Sequence, residues 1–365
     1  MTEPVRSGQP AMGTAVPVTT PRGSHPWVTE QERRVRFGVF GGGGGPAEWP
    51  RLRAWAQTVE RLGFDSFWLG DHPMSNTADC WTALAALAVH TQRLRLGPLV
   101  SCVYYRSAGL LARQAADVDR LSGGRLVLGL GAGDIPHEFA QLGLTYPPFP
   151  ERAAALAETI ALVRGLWDEV PVTFRGEYVR AEGAHLATRP VQTPHVPLLI
   201  AGGGERITLR QVAEHADMCN FGPNGATGSA WGLPEVRRKL AALDAHCAAG
   251  GRPTAAVLRS HIAWIVLRET ETAVEAALSA RPNRAAMVEA PREPGLPRRL
   301  TAYYRSPSIE HVANVTVAGT PPQLVAYYRA LIAAGMRYFV VSPSGDLETL
   351  RLMMQEVMPC LAGPE

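Results

Sequence analysis

From Val35 onward, short apolar runs alternate with stretches whose apolar residues recur every three or four positions. The runs predict strands at Val35–Phe40, Ser66–Gly70, Leu94–Val100, Leu126–Leu130, Pro197–Ile200, Met218–Phe221, His261–Val266 and Tyr338–Ser342. The stretches between them predict helices. In "EWPRLRAWAQTVERLGF", Leu52, Trp55, Ala56, Val59 and Leu62 share one face and Gly63 ends it. "AGLLARQAADVDRLSGG" and "PPQLVAYYRALIAAG" follow the same rule. Eight strands separated by helices predict an α/β fold, a (β/α)8 TIM barrel with insertions after strands 4 and 7.

A doubly wound open sheet is the alternative. It asks for GxGxxG after the first strand and an acidic residue about 20 positions on. "RVRFGVFGGGGGPAEW" supplies the glycines, but Pro46 follows at once and no acidic strand end stands at the required distance. No Gly-Lys-Ser/Thr follows either, which excludes a P-loop. The glycines Gly41 to Gly45 are instead read as room for a flat ring or its substrate, against the plainer reading of ordinary loop material.

The alternation breaks in two places. Residues 167–194 show strand-like alternation and predict a small excursion before the fifth strand. Residues 280–311 are rich in Pro and Arg and are expected to form a lid, since Met287, Tyr303 and Tyr304 give it something to bury. Residues 1–33 are rich in Pro, Gly, Ser and Thr and lack the apolar core of a signal peptide. They are expected to be a disordered extension, with 34–365 forming one barrel domain.

Composition narrows the chemistry. A net charge of +3 over 365 residues gives no reason to expect nucleic acid or an anionic membrane as partner. No apolar run approaches the length of a membrane span. Five dispersed cysteines without a CxxC pair fit a reducing compartment, taken here as the cytoplasm, and give neither a disulfide framework nor a zinc site. Lys239 is the only lysine and falls in a helical charge run, "EVRRKLAALD", which excludes a Schiff-base aldolase. A metal-dependent barrel hydrolase needs His and Asp ligands beginning at the first strand, where this chain has glycine, so no metal is expected.

Barrel active sites sit at the C-terminal ends of the strands. Those positions here hold Asp71 and His72 after strand two, and Ser101, Cys102, Val103, Tyr104 and Tyr105 after strand three. Gly131, Gly133, Asp134, His137 and Glu138 follow strand four, Ala201, Gly202, Gly203 and Gly204 strand five, and Gly222 and Asn224 strand six. Three glycines ahead of a helix present free amides and the positive end of its dipole to an anion, though a simple tight loop would look the same. A flat ring with a phosphate tail fits these parts. His72 can also be read as a structural histidine holding the strand end through Asp71, and Asp134 as a helix N-cap.

At "LGFDSFWLGDH", "RSAGLLARQAADVDRLSGGRLVLGLGAG", "ERAAALAETIALVRGLW", "HVPLLIAGGGE" and "VAGTPPQLVAYYRALIAAGMRYFVV" the sequence resembles the luciferase-like flavin-dependent oxidoreductases, especially the branch that uses the deazaflavin coenzyme F420. The resemblance covers nearly all of residues 35–361. It implies a cofactor ring at the strand ends, a non-proline cis peptide within Val100–Val103, and a homodimer. It also implies that Asp71 and His72 match the Asp-His pair of deazaflavin sugar-phosphate dehydrogenases, Asp134 their catalytic carboxylate, and Gly202 to Gly204 the turn for the cofactor phosphate. On that basis His72 and Asp134 are the expected catalytic residues. Asp71, Ser101, Cys102, Val103, Gly131, Gly133, His137, Ala201, Gly202, Gly203 and Gly204 are expected at the cofactor. Asn76 stands where those dehydrogenases carry a tryptophan, and the lysines that hold their substrate phosphate are missing, so a sugar phosphate is not expected.

The expected reaction is hydride transfer between deazaflavin C5 and a small or medium organic substrate of secondary metabolism, an imine, enone, alcohol or amine. The alternative is FMN with oxygen-dependent monooxygenation on the same barrel. A third reading, a flavin-binding scaffold without turnover, leaves the strand-end polar groups without a task.

Overall fold

The computed structural model describes residues 24–31, 34–41, 49–76, 78–168, 170–222, 232–281, 287–306 and 309–361, with the side chains of 302–314 left out. Residues 1–23, Gly42 to Gly45, Asn224 and the side chains of Tyr303 and Tyr304, all named above, lie outside the described residues.

In chain order the elements are α1 (Pro26–Gln31), β1 (Arg36–Phe40), α2 (Trp49–Arg61), β2 (Ser66–Leu69), α3 (Cys80–His90), β3 (Arg95–Pro98), β4 (Ser101–Cys102), α4 (Ala108–Ser122) and β5 (Leu128–Gly131). Then come α5 (Pro136–Gln141), α6 (Phe149–Trp167), β6 (Val172–Arg175), β7 (Arg180–Ala184), β8 (Leu198–Ala201), α7 (Thr208–His215), β9 (Met218–Phe221), α8 (Leu233–Ala249) and β10 (Leu258–Leu267). The chain ends with α9 (Glu271–Ser279), β11 (Met287–Glu289), β12 (Arg298–Ser306), β13 (Ile309–Gly319), α10 (Pro321–Ala333), β14 (Tyr338–Ser342) and α11 (Leu347–Leu352).

The main sheet runs β3-β2-β1-β14-β10-β9-β8-β5-β4, all neighbours parallel. A bridge between Leu96 and Leu126 brings its two ends together, giving a nearly closed α/β barrel as expected. Strand three is split: a cis peptide at Leu99–Val100 separates β3 from β4. The bond stands one position upstream of the expected Val100–Val103 window. In a parallel barrel every strand has its C-terminus at one mouth. The ends of β1, β2, β4, β5, β8 and β9 therefore share that mouth.

Period-two alternation separates two cores. Phe67, Phe339 and Val341 face the helices, together with Leu52, Ala56 and Val59 of α2. Trp68, Val127, Leu199, Met218, Ile262 and Val340 face the barrel interior. Trp68 is fully buried, and a Cβ at Gly38 or Gly97 would stand 2.9 or 2.8 Å from its indole. The nearest obstacles there are Ser66 Oγ, 2.0 Å from a Cβ at Gly38, and the Val127 carbonyl, 2.3 Å from one at Gly97, so neighbours and ring together require glycine at both positions. Gly41 has a similar reason: a Cβ there would meet the Phe67 ring at 1.9 Å. At that one described position the missing side chain makes room for the core, not for a ligand.

The expected disordered extension through residue 33 needs correction for residues 24–31. Trp27 and Val28 of α1 are 3% and 0% exposed and join the interior core. The Trp27 ring meets Tyr338 edge-on at 5.9 Å, and the Arg95 guanidinium lies 4.8 Å from its centroid. Tyr338 and Arg95 open β14 and β3, so α1 closes the N-terminal end of the barrel, opposite the mouth.

The 167–194 excursion contains the antiparallel pair β6–β7, tied to α6 by Glu158, whose carboxylate accepts from the amides of Glu177, Tyr178 and Val179 at 2.8–2.9 Å. Where the lid was expected, the backbone forms antiparallel β11–β12–β13. β13 then pairs in parallel with the far half of β10, from Trp264↔Thr316 to Leu267↔Gly319. Met287 is buried against Val266, Leu278 and Leu300. The insertion thus extends the barrel wall as an arm of sheet.

Candidate active site

The expected Asp71–His72 pair does not form. Strand β2 ends at Leu69, and Asp71 turns into the protein at 2% exposure. Its Oδ2 accepts from Arg106 Nη1 and from Ser101 Oγ, each at 2.5 Å, and its Oδ1 accepts from Arg106 Nη2 at 3.1 Å. Arg106 also reaches Asp79 at 2.9 Å, and Trp81 Nε1 donates to Ser101 Oγ at 3.2 Å. The charge-assisted fork of an arginine on a carboxylate fixes both planes. Asp71 and Ser101, expected at the cofactor, are spent instead on tying the end of β2 to β4 and the loop before α4.

His72 faces a different acid. Its Nδ1 lies 3.1 and 3.2 Å from the two oxygens of Glu138 on α5. Glu138 is 2% exposed and also accepts from Tyr105 OH at 2.7 Å and Ser75 Oγ at 3.0 Å. Burial alone would raise the Glu138 pKa, but the His72 bond and charge, with Tyr105 and Ser75, hold it below the ordinary range. Burial likewise pulls the His72 pKa down, and the bond to Glu138 outweighs it, aided by the charges of Glu138, Asp134 and Asp71, for a net rise. A carboxylate at Nδ1 makes that nitrogen the N–H donor, so Nε2 is left for other chemistry. The His72 side chain is 37% exposed, and its Cδ2–Nε2 edge lies over Gly70 at the end of β2. Asn76 donates to the Gly70 carbonyl at 2.7 Å, closing the turn beneath the ring.

Asp134 follows β5 and is half-buried, with no hydrogen-bonding side chain among the described residues. It is not an N-cap: α5 is preceded by Ile135 and has no side-chain cap. Burial raises its pKa, Glu138 adds to the rise, and His72 and Arg152 oppose it. Arg152 of α6 clasps the loop behind it, donating to the carbonyls of Gly133 and, at 2.9 Å, Pro147.

The remaining predicted positions divide. Cys102 is 6% exposed, and burial pushes its thiol up to about 12, so it is neutral and inert. Gly133 has φ +81° and packs on it: a Cβ would stand 2.7 Å from Cys102 Sγ and 2.8 Å from Phe139. A Cβ on Gly131 would meet Val100 at 2.7 Å, so the step between β3 and β4 lies directly across the end of β5. Val103 donates its amide to Gly131 at 3.2 Å and also lines a cavity of about 610 Å3 between α4, α6 and the β6–β7 pair. His137 is exposed on α5 and makes none of these contacts; its neighbour Glu138 points inward.

Ala201 ends β8, and Gly202, Gly203 and Gly204 lead into α7. Gly202 has φ +118°, in the left-handed region that favours glycine. Its amide is used by the Asn220 carbonyl at 2.9 Å, whereas the amides of Gly203 and Gly204 meet no acceptor among the described residues. Lys239 lies in the charge run of α8, as read, but its side chain is buried. It is 3% exposed, and its Nζ donates to the Gly203 carbonyl at 2.5 Å. Among the described residues no group of His, Cys, Asp and Glu could hold a metal ion.

This arrangement agrees with the comparisons. The profile of the family described as luciferase-like monooxygenase matches residues 34–338. The chain belongs to that family. An F420-dependent glucose-6-phosphate dehydrogenase of Amycolatopsis mediterranei is 35% identical over 162 residues, covering 42% of this chain and 47% of that protein. The match spans about half the length of such curated relatives. Among solved structures, the coenzyme F420 dependent tetrahydromethanopterin reductase of Methanopyrus kandleri has a TM-score of 0.70 at 21% identity, covering 90% of this chain and 99% of that one. A riboflavin lyase with modified FMN has a TM-score of 0.72 at 17% identity, covering 90% and 91%. These two likenesses concern the fold.

Sequence reasoning passed over Glu138, Tyr105, Ser75 and Arg106 as partners. His72, Tyr105 and Glu138 come from three different strand ends, and no spacing in the chain links them. The one available signal was α5 itself, where Glu138 and Phe139 share the buried side and His137 and Ala140 the exposed one.

Proposed function

We propose that this chain is an F420-dependent oxidoreductase that moves hydride between the deazaflavin and a small or medium organic substrate, an imine, enone, alcohol or amine. The observation that carries the reading is the acid–base cluster of His72, Glu138 and Asp134 at the same barrel mouth as the open amides of Gly203 and Gly204. The relatives named F420-dependent dehydrogenases favour the deazaflavin over FMN.

The residues present fit such a cofactor. Gly203 and Gly204, at the approach to α7, would hold its phosphate through their amides, which meet no acceptor among the described residues, and through the helix dipole. The step at Val100, packed on Gly131, and the small Ala201 would flank its ring. When bound, the deazaflavin supplies or takes up hydride at a ring carbon.

Reducing a polarised double bond requires one proton beside each hydride. His72 holds that proton at Nε2. Glu138 keeps Nδ1–H in place and stabilises the cation, and Tyr105 and Ser75 fix the Glu138 plane. Asp134, its pKa raised by burial and with no side-chain hydrogen bond among the described residues, exchanges protons with His72. In alcohol or amine oxidation the same groups take the proton up.

A sugar phosphate is outside the proposed substrate range. The one lysine is committed to the Gly203 turn, and Asn76 is committed to Gly70. We place the protein in the cytoplasm as a homodimer, with Cys80, Cys102, Cys219 and Cys247 reduced and buried. Among the described residues no helix is long and apolar enough to cross a membrane. Titration of the chain with coenzyme F420 and, separately, with FMN tests the reading: binding of FMN alone would overturn it.

A further inference from the structure

We propose that Lys239, the chain's only lysine, is a positioning residue for the cofactor's phosphate: it orients and polarises the glycine turn from behind without touching the ligand. The inference rests on the cofactor reading above and deepens it.

Its ammonium is buried, 4% exposed at the side chain, and donates to the Gly203 carbonyl at 2.5 Å. That carbonyl belongs to the same planar trans peptide as the Gly204 amide, so the two groups point in opposite directions. Tying the oxygen to Lys239 aims the Gly204 N–H away from α8. Turning it over would cost the buried ammonium its hydrogen bond to the Gly203 carbonyl. A hydrogen bond to a cation also polarises the peptide and strengthens its N–H as a donor.

The acid nearest Lys239 is shared with an arginine. Glu205 stands 3.8 Å away and is engaged by Arg238 at 2.9 Å. His246 binds the Glu205 carbonyl at 2.8 Å, so α8 grips the turn at two of its carbonyls, those of Gly203 and Glu205. The Gly203 and Gly204 amides meet no acceptor among the described residues. Burial holds the Lys239 pKa below the ordinary lysine value, an unfavourable term that an anion on the turn would offset.

The test measures binding without turnover, using the whole chain and its Lys239→Met, Lys239→Gln and Lys239→Arg variants. The probes are coenzyme F420 and the deazaflavin nucleoside that lacks the phosphate tail. In Lys239→Met the Kd for coenzyme F420 should rise on the order of tenfold to a hundredfold, the span of a lost charge-assisted hydrogen bond. The Kd for the nucleoside should stay within about twofold. Lys239→Arg should recover most of the loss, and Lys239→Gln, which can still donate to the carbonyl, should fall between. If all variants bind coenzyme F420 like the unaltered chain, or lose both probes equally, the role of Lys239 is overturned while the cofactor reading stands. If the unaltered chain binds neither probe, the cofactor reading itself fails, and this inference with it. Should Lys239→Met not fold, the contrast between Gln and Arg decides alone.

Discussion

His72 and Glu138 are separated by 66 positions in the chain, yet His72 Nδ1 lies 3.1 Å from Glu138 Oε1. The chain neighbour of His72, Asp71, is held by Arg106 instead. The acid that sets the charge of His72 is therefore on α5, and the pH behaviour of the site follows from that pair.

The His72 pKa is raised above 6.5, so its contribution to stability is complete below pH 6.5 and fades as pH rises through the raised value. The Glu138 pKa is lowered from 4.5, so its contribution is complete above pH 4.5 and fades as pH falls through the lowered value. Both are complete between pH 4.5 and 6.5. Urea midpoints of the unaltered chain and Glu138→Gln should differ most in that window and converge on either side. In the reducing direction the rate should fall as pH rises through the His72 pKa, and Glu138→Gln should move that limb to lower pH. His72→Ala should cost about 10²–10⁴ in kcat. An unmoved limb in Glu138→Gln would assign the proton to another group.

Arg106→Met leaves the Asp71 carboxylate, 0% exposed at the side chain, without its cation. Removing one partner of a buried pair costs about 3–5 kcal/mol, because the other charge stays buried. The urea midpoint should fall accordingly, and Asp71→Asn added to Arg106→Met should recover part of the loss. A change below about 1 kcal/mol, the range of a surface pair, would show that the pair is not holding the strand end.

Trp27→Ala tests the closure of the barrel's other end. Losing a buried tryptophan should cost about 3–5 kcal/mol. The cofactor Kd should be unchanged, since α1 lies at the opposite end of the strands from the mouth. A loss of cofactor affinity without a loss of stability would contradict the placement of α1.

The barrel was legible because its strands and helices bury regular faces. Leu52, Ala56 and Val59 face the core as their spacing requires, and Gly63, at φ +83°, ends the turn after α2. Capping was equally local: Ser107 accepts from the Leu110 amide, and Gly123 ends α4 in the left-handed region. Misses occurred where tertiary contact overrides local pattern. Trp27 and Val28 sit in a segment whose neighbours read as disordered, and only the open end of a barrel gives them a place to go. Residues 298–319 alternate as strands should, but the Pro-rich approach at 291–297 masked them. At the site the positions were right and the partners wrong. Asp71 beside His72 reads as a pair in one dimension, whereas successive side chains at a strand end point to opposite sides. The charge run around Lys239 gave no sign that its side chain is buried, because a helix's buried side is not marked by charge alone.

The central claim, a deazaflavin enzyme, is tested most directly by titrating the purified chain with coenzyme F420 and, separately, with FMN, following the ligand spectrum and oxygen uptake on reduction. The account predicts saturable one-to-one binding of coenzyme F420, much weaker FMN binding, and no oxygen consumption. Tight FMN binding with oxygen consumption and no binding of coenzyme F420 would contradict it.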